Sequence, residues 1–115
     1  AFGISVYFKT NQITFNDAPF QTYSYDTEGG NTGVLTRCAN CGTNVSWKMS
    51  LEALKDTIGI AGGTFDPPTF WYEIEREVFA RSKAEFCQIS SPQSFETSPI
   101  SKPVREDGGR LKGST

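Results

Sequence analysis

Cys38-Ala39-Asn40-Cys41-Gly42 stands between two runs that read as strands, Thr32 to Arg37 before it and Asn44 to Met49 after it. Two thiolates separated by two residues, on a tight turn relieved by a following glycine, fit one face of a tetrahedral zinc ion at about 2.3 Å per bond. A structural zinc normally takes four ligands drawn from Cys and His, and this chain has three cysteines and no histidine. Cys38 and Cys41 are therefore read as a zinc half-site, and strand, knuckle, strand is the order of a zinc ribbon. Two other readings of the pair stay open: reduced structural thiols left from a former site, and a redox dithiol. Redox pairs usually open a helix, whose N-terminus lowers the first thiol's pKa, whereas Gly42-Thr43-Asn44-Val45-Ser46-Trp47 reads as turn then strand. Cys87, between Phe86 and Gln88, reads as a buried, inert thiol.

The rest of the chain points to an all-β domain. Nine Phe, four Tyr and two Trp among 115 residues fall mostly into alternating runs, which suit half-buried pleated surfaces. Phe2, Ile4, Val6 and Phe8 alternate with Gly3, Ser5 and Tyr7, so the chain opens as a strand with one buried face. Gln12 to Phe15 reads as a second short strand, Asn16-Asp17-Ala18-Pro19 as a turn, and Phe20 to Asp26 as a third strand. Glu28-Gly29-Gly30-Asn31 is a loop. Ser50-Leu51-Glu52-Ala53-Leu54-Lys55 offers Ser50 as N-cap and a single helical turn. Thr57 to Ala61 is a short apolar strand, and the run from Gly62 to Pro68 is a rigid turn.

Thr69 to Glu77 alternates again, with Phe70, Tyr72, Ile74 and Arg76 on one face and Trp71, Glu73, Glu75 and Glu77 on the other. Paired acids can serve as general acid and base. With no histidine or nucleophile beside them, and Arg76, Arg81 and Lys83 as local counter-charge, the three glutamates are expected to form a solvated face. From Ser90 the chain turns rich in Ser, Pro, Gly and charge. This gives a domain over residues 1–95 and an extended or flexible tail over 96–115.

Several function classes recede on composition. Eleven basic against thirteen acidic side chains give a net charge of −2 and no Lys/Arg stripe, so phosphate-directed nucleic-acid binding is not expected. No apolar stretch reaches 18 residues and Ala1-Phe2-Gly3-Ile4 lacks a signal-peptide layout, so neither a membrane span nor export is expected. Three cysteines without a secretory signal suit a reducing compartment, and the expected location is the cytoplasm. Gly62-Gly63-Thr64 lacks the Gly-Lys-Ser/Thr ending of a phosphate loop.

The order of motifs resembles the glutathione-dependent formaldehyde-activating enzyme family, which also includes centromere protein V. The residues that carry the likeness are Arg37-Cys38-Ala39-Asn40-Cys41-Gly42-Thr43, then Gly59-Ile60-Ala61-Gly62-Gly63-Thr64-Phe65-Asp66-Pro67-Pro68, the strand around Glu73-Ile74, and Arg81-Ser82-Lys83-Ala84-Glu85-Phe86. Near Phe86 the family usually has an aromatic, most often Trp. The likeness runs from about Ala1 to Phe95 and matches the C-terminal two thirds of a family member. It implies a β-tent, that is, twisted antiparallel sheets around a zinc-ribbon-type knuckle, with at most one short helical turn. It also implies two zinc sites. One is structural and joins an N-terminal Cys-x-Cys-Gly pair to the later Cys-x-x-Cys pair. The other, held by a Cys-x-Cys-x-x-Cys-Arg segment, is linked to a glutathione-derived thiol adduct and to carbon-sulfur bond chemistry. Only the later pair maps onto this sequence, as Cys38 and Cys41. No residue of this chain matches the catalytic motif.

Three functional expectations follow. The first is a diverged or truncated domain of this family, without catalytic zinc, that self-associates. A homodimer would cover exposed sheet edge and apolar surface, and two Cys38/Cys41 pairs could share one zinc. The second is part of a zinc-dependent carbon-sulfur lyase-like enzyme acting on glutathione-type thiol adducts. The third is a small-ligand or partner-binding module using Phe70, Trp71 and Tyr72.

Overall fold

A computed structural model describes residues 2–104, and these fold as an all-β chain of two compact units. The larger unit comprises Gly3–Thr27 and Asn31–Phe70. The smaller is built from Ala1–Phe2, Glu28–Gly30 and the chain from Trp71 onward.

The larger unit is one antiparallel sheet of five strands: β1 (Ser5–Lys9), β2 (Phe20–Asp26), β3 (Thr32–Cys38), β4 (Asn44–Met49) and β5 (Thr57–Ala61), in the order β1-β5-β4-β3-β2. Alternation gives this sheet two distinct faces. One carries Val6 and Phe8 of β1, Ile58 and Ile60 of β5, Ser46 and Lys48 of β4, and Val34 and Thr36 of β3. Ile58, Ile60 and Ser46 are buried there, and Phe15 packs edge-to-face on Phe20 at 5.5 Å. The opposite face carries a single row of register partners across all five strands, Tyr7, Gly59, Trp47, Leu35 and Tyr23.

Glycine enters that row for a packing reason. A side chain on Gly59 would collide with the Trp47 indole, and one on Gly33 would meet the ring of its own register partner Tyr25 at 2.5 Å. Large rings shelter bare backbone on neighbouring strands, which offsets the strand-weakening effect of glycine. Burial raises the pKa of Tyr25, and the Tyr7 phenol adds to the rise. Tyr7 and Tyr25 sit on the two edge strands, so the sheet curls enough to bring its opposite edges into electrostatic range.

The smaller unit holds a two-stranded parallel pair, β6 (Arg76–Glu77) with β7 (Gln93–Ser94). A 3-10 turn at Ala80–Ser82 follows Phe79, whose φ of 56° lies in the left-handed region rarely taken by a residue with a side chain. Two links cross long stretches of chain: Arg81 pairs with Glu28, and the Val104 N–H donates to the Glu28 carbonyl at 2.7 Å. Glu77 is buried and its carboxylate lies 2.8 Å from the Lys83 ammonium. Cys87 is buried, as its apolar flank suggests.

Phe20–Asp26, Asn44–Met49 and Thr57–Ala61 keep the bounds expected of them, and the opening strand begins at Ser5 rather than Phe2. Two expected strands differ. Residues 13–15 are not a strand, because Thr10–Gln12 forms a 3-10 turn in which Gln12 Oε1 accepts the Lys9 N–H at 2.9 Å. The alternation of Thr69 to Glu77 yields strand pairing only at Arg76–Glu77. Alternation alone does not make a strand where no neighbouring strand runs alongside. The helical turn near Ser50 is a 3-10 turn at Glu52–Leu54, one of three isolated turns among the described residues. Ser50 does not cap it. Its Oγ accepts the Thr32 N–H and its own N–H donates to the Thr32 carbonyl, both at 2.9 Å, closing the end of the β3–β4 ladder. Of the expected tail, residues 105–115 lie outside the described residues. The Glu96 and Thr97 carbonyls accept N–H bonds from Arg81 and Phe79 at 3.3 and 3.5 Å.

Candidate metal centre

The β3–β4 connection sets both thiols of the Cys-x-x-Cys pair at one end of the sheet. Between Thr36 and Arg37 the register shifts: Thr36 pairs with Ser46, but Arg37 pairs with Asn44, leaving Val45 as an additional residue on β4. A bulge of this kind bends and twists a strand, and here it lies at the base of the turn that carries the cysteines. Cys38 ends β3 opposite Phe20. Its carbonyl accepts the Gly42 N–H, and its N–H donates to the Thr43 carbonyl, each at 2.9 Å. Gly42 holds φ at +78°, a conformation costly for any residue with a Cβ. The Ala39 N–H donates to the Pro19 carbonyl at 2.8 Å, fixing the turn to the chain entering β2.

The two thiols differ in environment. Cys38 is half-buried and Cys41 exposed. The Cys41 thiol lies 3.2 Å from Thr43 Oγ1. That side-chain hydrogen bond is the leading cause of a lowered Cys41 pKa, followed by the Thr43 backbone and the Cys38 thiol. Hydrogen bonds to the sulfur favour its thiolate form, the form that ligates metal.

As a metal-binding set the pair is half complete. It supplies two soft sulfur donors on one tight turn, the donor type and spacing of a zinc knuckle. Among the described residues, no group of three or more Cys, His, Asp or Glu is gathered to hold an ion. Cys87 belongs to the smaller unit, buried, with its N–H donating to the Ala84 carbonyl at 2.9 Å.

The three glutamates do not form one solvated face, as their alternation suggests. Glu73 and Glu75 are exposed, but Glu77 is buried against Lys83, while Arg81 is paired with Glu28 instead. The local counter-charge serves structural pairs. Phe70 and Trp71 are 68% and 54% exposed, and Tyr72 is half-buried with its ring edge-to-face on Trp71 at 5.5 Å.

One feature escaped the reading of the sequence: a groove of about 440 Å³ on the face of the sheet opposite Trp47. The alternation of Ser46, Trp47 and Lys48 carries its signal, because it places the serine and lysine on a common side. Only the strand order brings them beside Val34 and Ile58. Among the described residues no helix is long and apolar enough to cross a membrane. No protein-family model, curated protein or solved structure matches the chain.

Proposed function

We propose that this chain is a non-catalytic β domain of the formaldehyde-activating kind, whose Cys38–Cys41 turn contributes two thiolates to a structural zinc completed by a second copy. The observation that carries this reading is the turn itself: two thiols held by reciprocal backbone hydrogen bonds, with an exposed Cys41 biased towards thiolate. Two thiolates alone hold zinc poorly, and metal binding of this sort contributes directly to folding free energy. Self-association has separate support. Ile58, Ile60 and Cys87 are the buried hydrophobic residues among those described, while Phe2, Tyr7, Tyr23, Phe70, Trp71 and Phe86 are largely exposed. Apolar surface of this extent usually marks an interaction site.

Native mass spectrometry of the chain with added zinc tests the proposal. A dimer carrying one zinc is the expected species, and Cys41→Ser should abolish its zinc. A zinc-free species, or a Cys41→Ser protein with unchanged metal content and assembly, would overturn it.

A partner-binding module is the second reading, favoured by the exposure of Phe70 and Trp71. It predicts that Trp71→Ala leaves zinc content unchanged and removes partner binding. The lyase reading has no residue in this chain to carry its chemistry.

A further inference from the structure

We infer that the groove on the face of the sheet opposite Trp47 binds a small amphipathic carboxylate, with Lys48 as its anchoring cation. The site is independent of the cysteine turn and of any zinc held there.

Its floor is formed by neighbouring strands, with Val34 and Thr36 from β3, Ser46 and Lys48 from β4 and Ile58 from β5, and Phe15 lines it from the segment before β2. Val34, Ile58 and Phe15 are apolar, and an opening of about 440 Å³ is within the range of about 300–1,000 Å³ usual for small-molecule sites. Lys48 is the exception in this lining. It is half-buried, its ammonium donates to Thr10 Oγ1 at 3.1 Å, and it forms no ion pair with a carboxylate among the described residues. A partly desolvated cation with one hydroxyl acceptor retains donor capacity, since a lysine ammonium has three N–H bonds. The charge complement is an anion.

The surroundings narrow which anion. A phosphate dianion needs several cations or a nest of backbone N–H groups, whereas this groove offers one ammonium with the Thr36 and Ser46 hydroxyls beside apolar walls. A single carboxylate on a short aliphatic or aromatic body satisfies both the charge and the apolar lining.

Decanoate and its neutral counterpart decanol are the probes, titrated into the full chain while amide shifts of Val34, Thr36 and Ile58 are followed by NMR. Decanoate should bind saturably, at 1:1, about ten-fold more tightly than decanol, the discrimination expected of one charge-assisted hydrogen bond. In Lys48→Met, which keeps the aliphatic stem, that preference should vanish while decanol binding persists. Equal affinity for the two probes, a preference retained in Lys48→Met, or no saturable binding up to about 1 mM would each overturn the inference. Shifts in the same amides that follow protein concentration instead of ligand would assign the groove to a second copy and also overturn it. Should Lys48→Met fail to fold, the comparison of the two probes on the unmodified chain still decides.

Discussion

The Trp47 indole lies over Gly59, its register partner across β4 and β5, and occupies the space that a Gly59 side chain would need. Indole and glycine are thus one packing unit in the middle of the five-strand row. Gly59→Ala should destabilise the fold by about 1–3 kcal/mol, the range for overpacking. In the Trp47→Ala background the same change should cost far less, because the obstacle is gone. Urea unfolding of the four proteins in a double-mutant cycle measures this coupling. Additive effects would show that the indole does not constrain Gly59.

Gly42 makes the opposite kind of demand. Nothing lies within 4 Å of a Cβ placed there, so space is not limiting, yet φ is +78°. Gly42→Ala should therefore cost about 1 kcal/mol through backbone conformation alone. Gly42→Asn should cost less, because asparagine tolerates the left-handed region. Thermal unfolding of both variants gives the comparison.

Glu77 and Lys83 form a pair in which the carboxylate is the more deeply buried partner, with side chains 7% and 35% exposed. Lys83→Met should leave a buried charge without its cation and destabilise by about 2 kcal/mol, less than for a fully buried pair because the lysine is partly solvated. Adding Glu77→Gln should recover part of that loss. Denaturant midpoints of the single and double variants decide.

Cys41 should react with iodoacetamide more readily near neutral pH than an ordinary thiol, since hydrogen bonding lowers its pKa. Thr43→Val removes the leading cause of that shift and should move the inflection of the rate against pH upward. Cys87, being buried, should remain unmodified in the native protein. Mass spectrometry of alkylated peptides across a pH series reads all three outcomes.

Tyr25 carries a raised pKa in the folded chain, so the favourable bias is present below the ordinary value of 10.0 and is lost as pH rises through the folded value. Tyr7→Phe removes one of the two causes and should lower the Tyr25 titration towards 10.0. Ultraviolet difference absorbance of tyrosinate follows it, and an unchanged curve would exclude interaction between the two sheet edges.

The sequence by itself determined the β class, the bounds of Phe20–Asp26, Asn44–Met49 and Thr57–Ala61, the burial of Cys87, and the turn that carries Cys38 and Cys41. These follow from local chemistry: period-two alternation, the left-handed freedom of Gly42, and the apolar flank of Phe86. Tertiary structure decided the rest. Whether an alternating run becomes a strand depends on a neighbour to complete its hydrogen bonds. That is why residues 69–75 stay irregular, and why Ser50 closes a ladder rather than capping a turn. The fate of Glu77, buried against Lys83, and of Arg81, paired with Glu28 more than fifty positions away, depends on chain crossings that no local pattern encodes. The groove around Lys48 exists because strand order β5-β4-β3 sets Ile58, Ser46, Lys48 and Val34 on one face, and strand order is a property of the folded sheet alone.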